Sequence, residues 1–255
     1  MQSFLHITHG QVRFGLGPRH LYRALPFSNY SSPSKLSYPP VRAWERLINW
    51  LMLGNDMVGD CVIAYMLHQV MAWSAVANAG SPMAASFTVE QAIETYSAIT
   101  GYVPGNDATD QGTDPDTAIA YWRDKGLYGH KAAGMVDLDI SNLDALKGAL
   151  NVFGGIGLSI QVPAYVMDVP AGGSWSDSGD GDHSIIGYHQ VLGIGYGRQG
   201  FRVVSWGATY TCNLDFLARN LQASQAVVSE DWIKQSGQAP SGVDMEGLLA
   251  DLKAV

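Results

Sequence analysis

Two residues far apart in the sequence have the side chains that nucleophilic catalysis requires. Cys61 follows the loop "NDMVGD" and opens the apolar run "CVIAYMLHQVMAWSAVANA", so its thiol stands at the start of a predicted helix. There the helix dipole and free backbone N–H groups favour the thiolate. His189 begins the strand-like stretch "HQVLGIGYG". A cysteine hydrolase takes such a pair from separate segments that meet across a cleft, so Cys61 and His189 are candidates for a nucleophile and its base.

The stretch from His189 onward resembles the papain-like cysteine peptidases. In "HQVLGIGYGRQGFRVVSWG" a histidine begins a strand that ends in Gly-Tyr, and a hairpin leads to Ser-Trp-Gly. The order of elements is similar over roughly residues 50 to 210. The segment "LGNDMVGDC" also resembles bacterial and phage open reading frames in which Gly-Asn-Asp and Gly-Asp-Cys recur. The resemblance implies an α+β, papain-like fold, in which a mainly helical lobe carrying the Cys61 helix packs against an antiparallel β-sheet or barrel lobe carrying His189.

The same resemblance implies roles for the residues around this pair. Asn55 stands where the papain-like peptidases carry the Gln that donates to the oxyanion hole, and its amide offers the same kind of donor. Trp206 would cover the imidazole. The asparagine that orients the histidine in that family is replaced here by Val204, and the neighbouring Ser205 offers a weaker hydroxyl. Because a strand alternates its faces, Val204 and Ser205 cannot both point at His189, and loss of the orienting group lowers the rate rather than abolishing attack.

Three nearby side chains have competing interpretations. His183, in "GDGDHSII", is the rival base, but only His189 has Gly-Tyr and Trp-Gly at the family's distances, so His183 is predicted to lie in a loop. His68 falls two turns after Cys61, about 10 Å along the helix axis, and is out of reach. Asp60 is predicted to cap the helix rather than to catalyse, because a carboxylate beside the thiol opposes the thiolate.

The acidic loops do not predict a metal site. Asp180, Asp182 and Ser184 begin like a calcium-binding EF-hand loop. Ile185 replaces the required glycine, and Val191 stands where the bidentate glutamate should be. With two cysteines and no paired histidine spacing, a zinc site is also disfavoured. We therefore expect neither a metal nor a cofactor.

Composition excludes several classes of partner. The 255 residues include 15 Lys and Arg against 23 Asp and Glu, a net charge of −8 without a basic cluster, which argues against nucleic acid. No stretch predicts a signal peptide or a membrane span. The two cysteines, Cys61 and Cys212, agree with a reducing compartment, and Cys212 is predicted to be structural. We therefore expect a protein of a bacterial cytoplasm, with no membrane partner.

Capping residues and hydrophobic spacing divide the chain into four predicted regions. These are an irregular N-terminal arm (1–44), a helical lobe (45–135), a β-rich lobe (136–235) and a tail with a short amphipathic helix (236–255). Helices are predicted over 41–53, from Cys61, after Thr88 and Gln91, after Asp114 and Pro115, and from Ser141 to Gly154. Strands are predicted over 156–162, 190–197, 201–206 and 225–229, with "GRQG" as a hairpin turn.

Two functions from different classes fit these patterns. The first is a cysteine hydrolase of peptide or amide bonds, acting on a polypeptide or a peptidoglycan-type substrate; Val204 and the lack of an evident pro-segment argue against it. The second is a catalytically idle structural protein of the same fold, such as a decoration or head-associated component that binds capsid or other proteins of a phage particle. An open groove at Cys61 would favour the enzyme, and a plugged groove with arms reaching neighbouring chains would favour the structural role.

Overall fold

The helices begin and end close to the residues that cap them. The computed structural model describes residues 14–17, 25–32, 36–46, 48–77, 85–229, 232 and 243–254. Within these ranges the helices are α1 (Cys61–Ala77), α2 (Val89–Thr100), α3 (Pro115–Lys125), α4 (Leu143–Phe153), α5 (Leu214–Asn220) and α6 (Met245–Leu252). Thr88 and Gln91 form the predicted capping box of α2, and the side chain of Asp114 caps α3. Asn142 caps α4 instead of the predicted Ser141, whose hydroxyl donates to Asp139.

The strands form one mixed sheet, and most of them come from the second half of the chain. In the described part of the chain the strands are β1 (Leu25–Pro26), β2 (Arg42–Ala43), β3 (Gly134–Asp137), β4 (Ile156–Pro163), β5 (Ser174–Trp175), β6 (Ile185–Tyr196), β7 (Gly200–Ser205), β8 (Ala208–Asn213) and β9 (Leu221–Val228). Their order is β1-β3-β9-β4-β6-β7-β8-β5, and β2 pairs with β6. The predicted "GRQG" turn joins β6 to β7, whereas β8 is not predicted by the sequence pattern. The antiparallel β6–β7 hairpin carries both His189 and Ser205.

The helix predicted over 41–53 is wrong. Arg42 and Ala43 instead pair with Tyr196 and Gly195 of β6, and only a short 3-10 turn follows at Trp44–Arg46. Backbone pairing with the end of β6, beyond the last residue that pairs with β4, satisfies backbone groups that a helix would have used, and here it outweighs the helical spacing of the apolar side chains.

The sheet separates two apolar layers. Val203 on β7 faces the layer that contains α4, α5 and α6, whereas the next residue, Val204, faces the layer that contains α1, α2 and α3. Helix α1 is buried along nearly its whole length and lies against β6. This packing brings the start of α1 to the strand that carries His189. Among the described helices, none has the length and apolar character needed to cross a membrane.

Candidate active site

The Cys61 thiol lies at the start of α1 and beside β6. The side chain is 0% exposed, and backbone N–H groups of Gln190 and Gly15 approach the sulfur. Burial raises the pKa of the thiol to about 12, although these two N–H groups act in the opposite direction. The prediction that the helix start would favour a thiolate is therefore wrong for this closed arrangement, because desolvation outweighs the backbone N–H donors.

The His189 imidazole is held on two sides. Its ring stacks on Trp206 with centroids 4.5 Å apart and an interplanar angle of 14°, and its Nε2 lies 2.8 Å from the Ser205 hydroxyl oxygen. Burial lowers the pKa of His189 to about 3, so the ring is neutral. Its Nδ1 has no hydrogen-bond partner among the described residues. One face and one nitrogen of the ring are thus fixed, while the other nitrogen stays available to accept a proton.

Ser205, not Val204, faces the imidazole. Val204 pairs opposite Leu192 and is buried on the side of the sheet that faces α1, α2 and α3. The alternation of side chains along β7 then directs Ser205 to His189, as the two-residue period of a strand requires. A hydroxyl therefore occupies the place beside Nε2 that the resemblance assigns to an asparagine amide.

Asn55 and Asp60 lie together below the start of α1. Both side chains are buried, and the Asn55 amide favours the ionised form of Asp60, but burial dominates and raises the pKa of Asp60 well above its ordinary value. Asp60 occupies the predicted N-cap position, because its carbonyl accepts the Ala64 N–H, but its carboxylate accepts no backbone N–H of α1 among the described residues, so the predicted side-chain cap does not form. Its Oδ2 lies instead against Gly54, where an added Cβ would approach within 3.0 Å. Apart from this interaction with Asp60, the Asn55 amide nitrogen has no acceptor among the described residues.

A buried carboxylate that the sequence patterns do not single out fixes the loops on either side of Cys61. Both oxygens of Asp110 accept the Gly59 N–H, at 3.0 and 3.2 Å, and Oδ1 also accepts the Tyr96 hydroxyl at 2.7 Å. The same Tyr96 oxygen accepts the Gly112 N–H at 2.8 Å. Two residues thereby join the turn before Cys61 to the loop that forms the opposite wall. Only the Asp-rich composition of "GNDATDQGTD" hints at this arrangement.

Residues 14–17 of the N-terminal arm, the strap, cross the cleft over Cys61. The Thr113 N–H donates to the Gly15 carbonyl at 2.9 Å, and the Gly17 N–H donates to the Thr113 carbonyl at 2.8 Å. Phe14 is 5% exposed, and its ring lies edge-on to those of His189 and Trp206, with ring centroids 6.1 and 6.0 Å apart. No pro-segment is evident in the sequence of the arm. A segment that fills the cleft is nevertheless present, and its sequence signal is the short run "FGLG".

The remaining predicted residues lie away from this site. His183 sits in the loop before β6, with Nδ1 3.4 Å from an Asp177 carboxylate oxygen and Nε2 3.2 Å from the Gly179 carbonyl. His68 is buried two turns along α1 from Cys61, where its Nε2 lies 2.8 Å from the Leu51 carbonyl oxygen and burial lowers its pKa to about 4. Cys212 is a free thiol inside the sheet core. Among the described side chains, no three His, Cys, Asp or Glu residues converge in the manner of a metal site.

Comparison with known proteins identifies the fold. No protein-family model matches the sequence, and no curated protein matches it. Several solved structures, in contrast, are similar to this chain. Xylellain, a cysteine protease from Xylella fastidiosa, superposes with a TM-score of 0.66 at 13% identity, covering 86% of this chain and 97% of its own.

Two other cysteine protease structures show the same similarity. Digestive procathepsin L 3 from the larval midgut of Tenebrio molitor gives a TM-score of 0.53 at 15% identity over 80% of this chain and 73% of its own. The Carica candamarcensis protease CMS1MS2, solved in complex with E-64, gives 0.52 at 14% identity over 75% and 99%. At these identities the similarity concerns the fold alone. The chain has the α+β fold of the papain-like cysteine proteases.

Proposed function

We propose that this protein is a papain-like cysteine hydrolase of peptide or amide bonds, with Cys61 as nucleophile and His189 as base, whose cleft is closed by its own strap. The observation that carries the proposal is the setting of His189. Trp206 stacks on the ring, Ser205 binds Nε2, and the N–H of the next residue, Gln190, approaches the Cys61 sulfur. This setting supports a catalytic role, because an activated cysteine needs a nearby base whose ring is oriented by a further group.

The geometry supports a balanced reaction once the cleft is open. The Cys61 thiol gives its proton to Nδ1 of His189, and the sulfur forms a bond to the substrate carbonyl carbon. In this proposal the backbone N–H of Cys61 and the Asn55 amide donate to the resulting oxyanion. The C–N bond then breaks as the imidazolium returns the proton to the leaving amine. Water, deprotonated by His189, attacks the thioester, and the S–C bond breaks to release the acid and restore the thiol.

The closed cleft explains the neutral state of the pair. In the presence of the strap both Cys61 and His189 are inaccessible to water, and burial moves their pKa values in the directions that favour a thiol and a neutral imidazole. Departure of residues 14–17 would hydrate the sulfur and lower the pKa of Cys61, while the nearby N–H of Gln190 would continue to favour the thiolate.

The test uses full-length protein in which the strap cannot close. We expect the Gly15→Leu variant to hydrolyse denatured casein, because no Cβ fits at position 15. The double variants Gly15→Leu with Cys61→Ala, and Gly15→Leu with His189→Gln, should lose this hydrolysis. Gly179→Ala serves as the matched control, since a Cβ at Gly179 meets nothing within 4 Å. Hydrolysis that persists without Cys61 would overturn the proposal, as would a Gly15→Leu protein whose Cys61 reacts with iodoacetamide but which cleaves nothing.

A second candidate is a catalytically idle component of a phage particle. The filled cleft and the neutral thiol also suit a protein that does no chemistry, and the similarity of "LGNDMVGDC" to phage open reading frames favours this location. The presence of Val204 in place of the orienting asparagine is weaker support for an inactive protein than the sequence suggests, because the Ser205 hydroxyl binds the imidazole. The casein assay separates the two: a reactive but inactive Gly15→Leu protein would support the structural role.

A further inference from the structure

We propose that the cleft beside Cys61 contains a glycine slot, a site that binds an extended peptide only where that peptide carries glycine over the sulfur. We define the slot by the backbone of Gly59 on one wall and of Gly112 and Thr113 on the other. That peptides bound there are also cleaved rests on the proposed function; the binding itself does not.

The slot has no room for a side chain. A Cβ built on Gly15 would lie 1.7 Å from the Gly59 carbonyl oxygen and 2.4 Å from its Cα. From the other wall, a Cβ on Gly112 would lie 2.1 Å from the Gly15 carbonyl oxygen. Contacts this short with backbone atoms require the chain itself to move, which makes even an added methyl group costly. Gly15 of the strap therefore meets Gly59 and Gly112 of the two walls through main-chain atoms alone.

The walls are held at a fixed distance. The Asp110 carboxylate binds the Gly59 N–H, and the Tyr96 hydroxyl joins Asp110 to the Gly112 N–H. Asp110 and Tyr96 are both 0% exposed, so water does not reach these hydrogen bonds. Breaking one of them would leave buried polar groups without partners, which is costly. The slot consequently cannot widen for a larger residue without breaking a buried network.

Neighbouring contacts define the rest of the ligand. Thr113 binds the occupant through two main-chain hydrogen bonds that are independent of sequence. Phe14 packs on the His189 and Trp206 rings, and Leu16 joins the apolar layer on the α1 side. At Gly17 an added Cβ would lie 3.0 Å from the Thr113 carbonyl carbon, a second close approach. The geometry points to ligands with the pattern apolar-Gly-apolar-Gly, presented by another polypeptide after the strap leaves.

The experiment measures protection of Cys61 in full-length Gly15→Leu protein. Leucine should expel the strap and make Cys61 react with iodoacetamide, followed by mass spectrometry. A synthetic peptide with the sequence of residues 12–19, VRFGLGPR, should then slow this alkylation at least about tenfold at saturating concentration. The same peptide with alanine at the position of Gly15 should give no protection at that concentration. A peptide with alanine in place of Leu16 should still protect, since it keeps the glycine.

Several outcomes would overturn the glycine slot. Equal protection by the glycine and alanine peptides would remove its selectivity, and no protection by either would remove the binding site. A Gly15→Leu protein as unreactive as the wild type would mean that leucine fits. Gly112→Ala, which narrows the slot from the opposite wall, should also expose Cys61, and circular dichroism checks that each variant is folded. None of these readouts requires turnover, so absence of casein hydrolysis would count against the proposed function and leave the slot standing.

Discussion

The two cysteines of this protein are equally buried but are covered in different ways. Both thiols are free, both are 0% exposed, and burial raises the pKa of each. Cys212 lies on β8, paired opposite Trp175 and Phe201 within the sheet core. Cys61 is covered by the strap, which Thr113 holds through two main-chain hydrogen bonds. Burial inside a core lasts as long as the fold, whereas burial under a short segment can end when that segment leaves.

The largest expected difference between the two regions is in thiol reactivity. In Gly15→Leu protein the pKa of Cys61 should fall from about 12 toward the ordinary value of 9. A fall of about three pKa units increases the thiolate fraction at pH 8 about 10³-fold, and alkylation should follow. Because a raised pKa moves deprotonation to higher pH, the wild-type rate should still climb above pH 10, while the variant rate should level off near pH 9. Iodoacetamide labelling over this pH range measures both.

Cys212 provides the internal control for that experiment. Its labelling should stay slow in wild type, in Gly15→Leu and in the matched Gly179→Ala variant, because its cover is the sheet core itself. If Cys212 became reactive together with Cys61, general loosening of the fold would explain the result and the contrast between the two regions would fail.

Local sequence signals predicted the framework of the fold better than the state of the site. The capping box at Thr88 and the cap at Asp114 were predictable because a cap is formed within a few residues. The motif resemblance predicted that Cys61 would lie near the strand that carries His189. The position of the strap could not be predicted, because Gly15 contacts Gly59 and Thr113 through backbone atoms, which leave no side-chain pattern in the sequence.

The pKa values also depend partly on local position, which the sequence reveals, and partly on burial, which it does not. A helix start favours a thiolate in an exposed site, and the sequence reveals that position but not its desolvation. Asp60 was predicted as a cap from its place before α1, yet the fold turns its carboxylate toward Gly54 and Asn55. Burial depends on segments distant in sequence, so the direction of the Cys61 shift could not be predicted from neighbouring residues.

A second way to sharpen the comparison is to loosen the wall of the cleft without touching the strap. Tyr96→Phe removes a hydroxyl that both donates to Asp110 and accepts from Gly112. Leaving buried groups unpaired should lower the free energy of unfolding by about 2–3 kcal/mol, measured by urea denaturation. Labelling of Cys61 should rise while labelling of Cys212 does not.

The matched control is Tyr128→Phe. Its hydroxyl also donates a hydrogen bond, in this case to the Gln91 carbonyl, but the residue is 43% exposed. Water can replace the lost bond, so the loss of stability should stay below about 0.5 kcal/mol. Equal losses in the two variants would contradict a special role for the Tyr96 network.

Serine substitution should distinguish the two thiol environments through stability. Cys212→Ser places a hydroxyl among apolar neighbours and should lower the free energy of unfolding by about 1–2 kcal/mol. Cys61→Ser retains the N–H groups of Gln190 and Gly15 as partners for the new oxygen, so its loss should be under about 1 kcal/mol. Urea denaturation of the two variants tests this order, and a larger loss at position 61 would reverse the comparison.

The smallest expected effect is that of removing the Ser205 hydroxyl, which contacts His189 in the active-site region. In the Gly15→Leu background, Ser205→Ala removes the partner of His189 Nε2, and the net value of such a bond, about 1 kcal/mol, corresponds to about a fivefold loss of kcat in casein-derived peptide hydrolysis. KM should not change, because Ser205 orients the imidazole and does not bind substrate, and Ser205→Thr should restore kcat by returning the hydroxyl. Ser224→Ala is the control, since this buried serine donates to the Gly157 carbonyl away from the imidazole. An unchanged kcat in Ser205→Ala would mean that Trp206 alone fixes the ring, and an equal loss in Ser224→Ala would reduce the effect to general destabilisation of the sheet.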